Sequence, residues 1–171
     1  LDTKVGGERP TVQLVDVKYI GGKYSFDFKN LIKWMNMCRR AGIKYLEISH
    51  LFTQWGAQFT PKIVAETENG IERIFGWDKK AVSEEYTEFI GALLPELTEV
   101  LKSGWEQDKV FFHVSDEPTA KHLESYKAAK SIIEPYLDGF KIMDALSDYE
   151  FYKTGVVTNP IPSNDHIGEF L

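Results

Sequence analysis

The sequence predicts an α/β fold, specifically part of a (β/α) TIM-barrel-like domain with parallel strands and an active-site rim at their C-terminal ends. Three observations predict it. Short apolar runs alternate with stretches of helical spacing along the 171 residues. Polar residues cluster where those runs end: Glu47, Ser49 and His50, then Asp116 and Glu117, then Asp144. No glycine-rich phosphate loop follows any run, which disfavours a nucleotide-binding open sheet.

Each element has its own signal. Residues 11–19 alternate enough to read as a strand, and Gly21-Gly22 supplies a turn. Asp27 is placed as the N-cap of a helix carrying Leu31, Ile32, Met35 and Cys38, with Gly42 at its C′ position. Residues 43–49 form the next strand. Residues 50–78 read as a long loop holding Phe52, Trp55, Phe59, Phe75 and Trp77, and a loop of that length is usually functional. Asp78 is placed as the cap of a helix reaching about residue 103, with an apolar stripe of Tyr86, Phe89, Ile90, Leu93, Leu94, Leu97 and Leu101. Pro95 inside that stripe predicts a kink or a break. A strand at 110–115 bears the acid pair, and a helix over 119–134 is stopped by Pro135. A strand at 140–143 ends in Asp144, a weaker one is read at 155–157, and a short helical stretch surrounds Ile167.

A complete eight-stranded barrel typically needs about 250 residues, and only about five strand candidates are found. Residues 1–171 are therefore read as a single domain and a fragment of a larger (β/α)8 barrel, whose unpaired edges predict self-association. The first residue is Leu1 rather than Met, so cytoplasmic and secreted locations both stay open.

Composition narrows the partners. A hydrophobic content of 43% supports a real core, and a net charge of -6 argues against nucleic acid. No run is long enough for a membrane span. The four histidines (His50, His113, His122 and His166) show no metal-ligand spacing, and the lone Cys38 reads as core packing, so neither cofactor nor metal is expected.

The strongest chemical signal is Asp116-Glu117, two adjacent carboxylic acids at the end of a strand and just before Pro118 and a helical pattern. Asp, Glu and Pro are also common at ordinary helix starts, so a solvated cap is the competing reading. Ordinary retaining glycosidases need two carboxyls about 5–5.5 Å apart on opposite sides of the scissile bond. An adjacent pair straddles a sugar poorly. It suits substrate assistance, in which the sugar's own 2-acetamido carbonyl is the nucleophile, one carboxylate orients that group and its neighbour protonates the leaving oxygen. A general acid working near neutrality needs a raised pKa, which a neighbouring carboxylate in a partly desolvated site supplies.

The run from Phe111 to Pro118, Phe-Phe-His-Val-Ser-Asp-Glu-Pro, resembles the motif of glycoside hydrolase family 123 and the related domain-of-unknown-function family 4091. Tyr24-Ser25-Phe26-Asp27-Phe28, Ile74-Phe75-Gly76-Trp77 and Lys141-Ile142-Met143-Asp144-Ala145 extend the likeness over most of the chain in the right order. The resemblance implies a barrel catalytic domain of β-N-acetylgalactosaminidase type, with Asp116 holding the acetamido group and Glu117 as general acid/base. It implies a carbohydrate substrate.

Trp55 and Trp77 are candidates to stack on a pyranose face, or to pin the loop to the core. His50 is a candidate for a sugar hydroxyl or for a structural histidine, and Glu47 and Asp144 are candidates to point into the barrel mouth or to bind backbone donors. His113 falls on the interior side beneath the acids, in a polar core role. Two other function classes stay open: a non-catalytic carbohydrate-binding or scaffold domain, and a two-carboxylate glycosidase pairing Glu117 with Glu47 or Asp144.

Overall fold

A computed structural model describes residues 12–171, so the first residue of the strand expected at 11–19 lies outside the described residues. β1 (Asp16–Ile20) turns through Gly21-Gly22 into β2 (Lys23–Asp27). Both glycines take positive φ, 58° and 70°, as a mirror-image hairpin turn requires. α1 (Lys29–Arg40) follows and buries Leu31, Met35 and Cys38. The N-cap is Phe28, whose side chain makes no capping bond, so the expected N-cap at Asp27 is corrected by one residue; the Asp27 carboxylate accepts from the Lys29 amide at 2.9 Å from the position before the cap. At the other end the Gly42 amide reaches Arg39 O and the Ile43 amide reaches Cys38 O, the paired bonds of a Schellman stop.

β3 is reduced to Leu46–Glu47. The stretch read as a loop over 50–78 instead contains a hairpin, β4 (Ile63–Thr67) and β5 (Gly70–Phe75). α2 (Glu84–Gly104) is capped by Ser83, whose hydroxyl accepts from the Tyr86 amide, rather than by Asp78. Asp78 pairs with Arg73 at 2.7 Å, and the intervening residues form turns, tied to residues 58–60 by the Thr60 amide to Lys79 O and Ala81 amide to Gln58 O bonds of an isolated antiparallel bridge. Pro95 does not break α2. The helix runs through it because buried Ile90, Leu93, Leu94 and Leu97 pin both sides. β6 (Val110–Phe112) leads to the acid pair and then α3 (Leu123–Ile133). β7 (Lys141–Leu146), a short α4 (Glu150–Lys153), β8 (Asn159–Pro162) and a 3-10 turn at Ile167–Phe170 complete the chain. The strand expected at 155–157 is displaced: Gly155 ends α4 and β8 begins at Asn159.

The strands form two sheets. The first, ordered β2-β1-β4-β5, joins two antiparallel hairpins through a parallel β1–β4 pair. The second, ordered β3-β6-β7-β8, is parallel throughout. The expectation that the strand near 11–19 shares a sheet with those near 43–49, 110–115 and 140–143 is therefore corrected. β1 belongs to the other sheet, because each of its sides is taken by a strand the sequence reading missed. Among the described residues the parallel sheet stays open and no barrel closes.

α2 is the hub of the core. Phe89 packs edge-on or tilted against Tyr24, Phe26 and Phe75, with ring centroids 5.3, 6.0 and 5.3 Å away. Tyr86 meets Phe75 and Phe52 at 5.0 and 5.7 Å. These aromatics bind the first sheet to α2, and full burial of each such ring is worth about 1.5–3 kcal/mol. α2 also packs on α1 and α3.

The β8 edge has a particular chemistry. Ser163 donates to Leu146 O at 3.0 Å, so odd-numbered residues of this segment direct their amides at β7. Positions 160 and 162 then face outward, and both are proline. That edge has carbonyl acceptors but lacks those two donors, as befits an edge strand.

Candidate active site

The parallel sheet brings the expected residues to its C-terminal end. The chain after β3 follows the chain after β6 amide by amide: Ile48 donates to Phe111 O, Leu51 to His113 O, Phe52 to Val114 O and Trp55 to Asp116 O. Residues 46–55 are thus laid along 110–116 as an irregular extension of the β3–β6 pair.

Ser115 fastens this arrangement. It is completely buried; its hydroxyl accepts from the Gly56 and Ala57 amides at 3.1 and 3.2 Å and donates to Thr53 O at 2.9 Å. The sequence reading passed over Ser115, and only its place beside two acids could have drawn notice. Backbone strain collects at the same spot. Trp55, Ala57 and Glu117 have φ of 59°, 55° and 44°, and they are the non-glycine residues with positive φ among the described residues. Such conformations cost of order 1–3 kcal/mol each and persist where the surroundings impose them, often at functional sites. Gly56 (φ 108°) lies where a Cβ would collide with the ring of His122, the residue that N-caps α3, so the entry to α3 presses directly on residues 53–57, the strap held by Ser115. Ser125 of α3 donates to Gly56 O at 2.6 Å.

Asp116 is half exposed and its carbonyl is held by Trp55, whereas Glu117 is exposed. His50 Nε2 stands 4.0 Å from Asp116 Oδ1. Trp55 is exposed beside the acid pair. Trp77 packs on Phe59, ring centroids 6.0 Å apart, in the connection between β5 and α2.

Beneath the rim lies a network that runs from the buried Asp144 and His113 out to the exposed Glu47. His113 Nε2 contacts Glu47 Oε1 at 2.7 Å, and Nδ1 contacts Asp144 Oδ1 at 3.0 Å. Asp144 has no exposed surface with which to touch a ligand; its second oxygen accepts from the Val114 amide at 3.2 Å and from the Tyr126 hydroxyl at 2.5 Å. Asp144 therefore supports the site from below instead of lining its mouth. Tyr126 was missed because it sits in the apolar stripe of α3, where a tyrosine reads as core.

Burial tends to lower the His113 pKa, but the hydrogen bond and charge of Asp144, joined by Glu47, outweigh it and raise the group above its ordinary value. His50 is lowered, first by burial and then by the charge of His113, against the opposing pull of Asp116. Burial, reinforced by Asp144, pushes the Tyr126 hydroxyl far up, so it stays a donor.

His50, His113 and Asp144 bring one potential metal-ligand atom each within 4.8 Å of one another, a grouping that sequence spacing did not reveal. Both His113 nitrogens already face carboxylate oxygens, which leaves that ring no lone pair aimed at a metal. A cavity of about 360 Å³ opens elsewhere, at the N-terminal ends of β7 and β8, lined by Lys130, Phe140, Lys141 and Asn159. It lies at the opposite ends of these strands from the acids.

Comparison with known families matches residues 1–171, the whole chain, to the model of the glycoside hydrolase 123 catalytic domain. No curated protein matches the chain.

Proposed function

The chain belongs to the glycoside hydrolase family 123 catalytic domains, and on that premise we propose that it hydrolyses a terminal 2-acetamido sugar, of β-N-acetylgalactosaminide type, by substrate-assisted retention. The observation that carries this reading is the adjacent Asp116-Glu117 pair at the mouth of the parallel sheet, with Glu117 at φ 44° and Asp116 tied through its carbonyl to Trp55.

In the first step the acetamido oxygen attacks the anomeric carbon while the glycosidic bond breaks and Glu117 gives its proton to the leaving oxygen. Asp116 orients the acetamido N–H and balances the positive charge of the cyclised sugar. Glu117, now a carboxylate, then takes a proton from water. The hydroxide equivalent attacks the anomeric carbon, reopens the ring and leaves the configuration retained. Trp55, exposed beside Asp116, is the platform for the sugar face, and His50 adds a polar contact; Trp77 is a more distant candidate.

The competing two-carboxylate scheme would need Glu47 or Asp144 as partner to Glu117. Asp144 is buried and its oxygens are engaged, and Glu47 is bonded to His113, both of which favour substrate assistance. A non-catalytic carbohydrate-binding domain is favoured by one observation, the open parallel sheet that leaves Glu117 exposed. Self-association would use edges other than that of β8.

Paired aryl glycosides with and without a 2-acetamido group test the assignment. Substrate assistance gives turnover confined to the acetamido sugar. Glu117→Gln should slow poor leaving groups by about 10²–10⁴-fold while sparing activated ones, and Asp116→Asn should slow both. Equal turnover of the two glycosides, or wild-type rates for both variants, would refute it.

A further inference from the structure

We propose that His113 is a positioning residue for the acid pair: clamped as an imidazolium between Glu47 and Asp144, it fixes His50 as a neutral imidazole whose Nε2–H faces the Asp116 carboxylate. The inference rests on the role given to Asp116 above and adds the machinery that would set that carboxylate's orientation.

The protonation of His113 follows from geometry. A neutral imidazole has one N–H and one bare lone pair. With carboxylate oxygens 2.7 Å from one ring nitrogen and 3.0 Å from the other, a neutral ring would set its lone pair against an acceptor on one side. Protonation of both nitrogens turns both contacts into charge-assisted donations. The cation also compensates Asp144, a buried carboxylate that would otherwise be costly. Tyr126 from α3 and the Val114 amide complete the shell of Asp144.

His50 meets His113 edge to face, ring centroids 5.1 Å apart and planes at 60°. A second cation at that distance is unfavourable, so His50 stays neutral. The groups that face it are His113 and Asp116 of the β6 segment, Asp144 of β7 and Glu47 of β3. Of its two tautomers, the one protonated at Nε2 is selected, because that nitrogen stands 4.0 Å from Asp116 Oδ1, an acceptor. A movement of about 1 Å brings the pair to hydrogen-bond length. When positive charge develops on a bound acetamido group, a carboxylate held from behind by a neutral donor keeps its full charge and a fixed direction, which a cationic partner would partly neutralise.

Nitrogen-15 NMR of the histidine rings across pH 5–9 tests this on the chain itself. The clamp expects both His113 nitrogens in the protonated range at pH 7, His50 neutral with its proton on Nε2, and a downward shift of the His113 midpoint in Glu47→Gln, which alters an exposed carboxylate. On the acetamido glycoside, Glu47→Gln should move the alkaline limb of kcat to lower pH with KM little changed. A bare His113 nitrogen at pH 7 would overturn the proposal, as would a shift of both rings by stoichiometric Zn²⁺. If neither glycoside is cleaved while the ring signals are as expected, the hydrolase reading falls and the clamp stands.

Discussion

Replacing Ser115 by Ala removes one oxygen from the interior and should do damage out of proportion to its size. The hydroxyl has three bonds: from the Gly56 and Ala57 amides and to Thr53 O. The loss is uneven. The Ala57 amide also donates to Thr53 O at 3.2 Å, so those two groups keep each other. The Gly56 amide is left with no partner in a site that water does not reach, a penalty of about 1–3 kcal/mol, to which the two weakened bonds add about 1 kcal/mol. The expected total is about 2–4 kcal/mol, or roughly 5–12 °C in Tm for a domain of this size. Urea unfolding gives the stability change. Trp55 fluorescence, compared in Trp55→Phe, reports locally, because Trp55 lies within the strap that Ser115 holds. A stability loss under about 0.5 kcal/mol with unchanged Trp55 emission would refute the reasoning and show that the strap is held by its other contacts.

His113 should make stability depend on pH in a defined direction. Its folded pKa is raised above 6.5, so its contribution is complete below pH 6.5 and is lost as pH rises through the folded value. His50, whose folded pKa is lowered, opposes this by penalising protonation as pH falls below 6.5. Urea midpoints from pH 5.5 to 9 should therefore fall on the alkaline side in wild type relative to His113→Asn, and a constant difference across that range would contradict the assignment. Tyr126→Phe deletes a donor to a buried carboxylate and should cost about 1.5–3 kcal/mol, measured by chemical denaturation; a neutral result would mean that the Asp144 oxygen is satisfied without it.

Much of this fold could be read in advance where local chemistry dominates. α1 declared its end in Gly42, by its freedom at positive φ, and its start to within one residue in Asp27, whose carboxylate takes the Lys29 amide from just before the N-cap Phe28. The stripe of α2 is buried as its spacing indicated, but its start was misplaced by an acid whose true partner is Arg73. The β4–β5 hairpin carried a readable signal in Asn69-Gly70, overlooked among the aromatics of that stretch. β8 was displaced because two prolines argue against a strand interior, and their placement on the outer edge depends on a pairing partner that sequence does not reveal. The same limit applied to the site. Glu47, His113 and Asp144 were each singled out, but their mutual bonds span 66 and 31 residues of chain and follow from strand register, which local pattern leaves undetermined.

The prolines of β8 also give the parallel sheet a one-way valve. A peptide designed to zip onto that border could offer its amides to waiting carbonyls, yet at 160 and 162 it would receive nothing in return. Half of each repeat would go unanswered, and water would outcompete the newcomer. Strand-mimicking ligands, fibril seeds and engineered fusions that rely on lengthening a sheet should all fail at this border, so a designer seeking an attachment point would do better on the hairpin sheet.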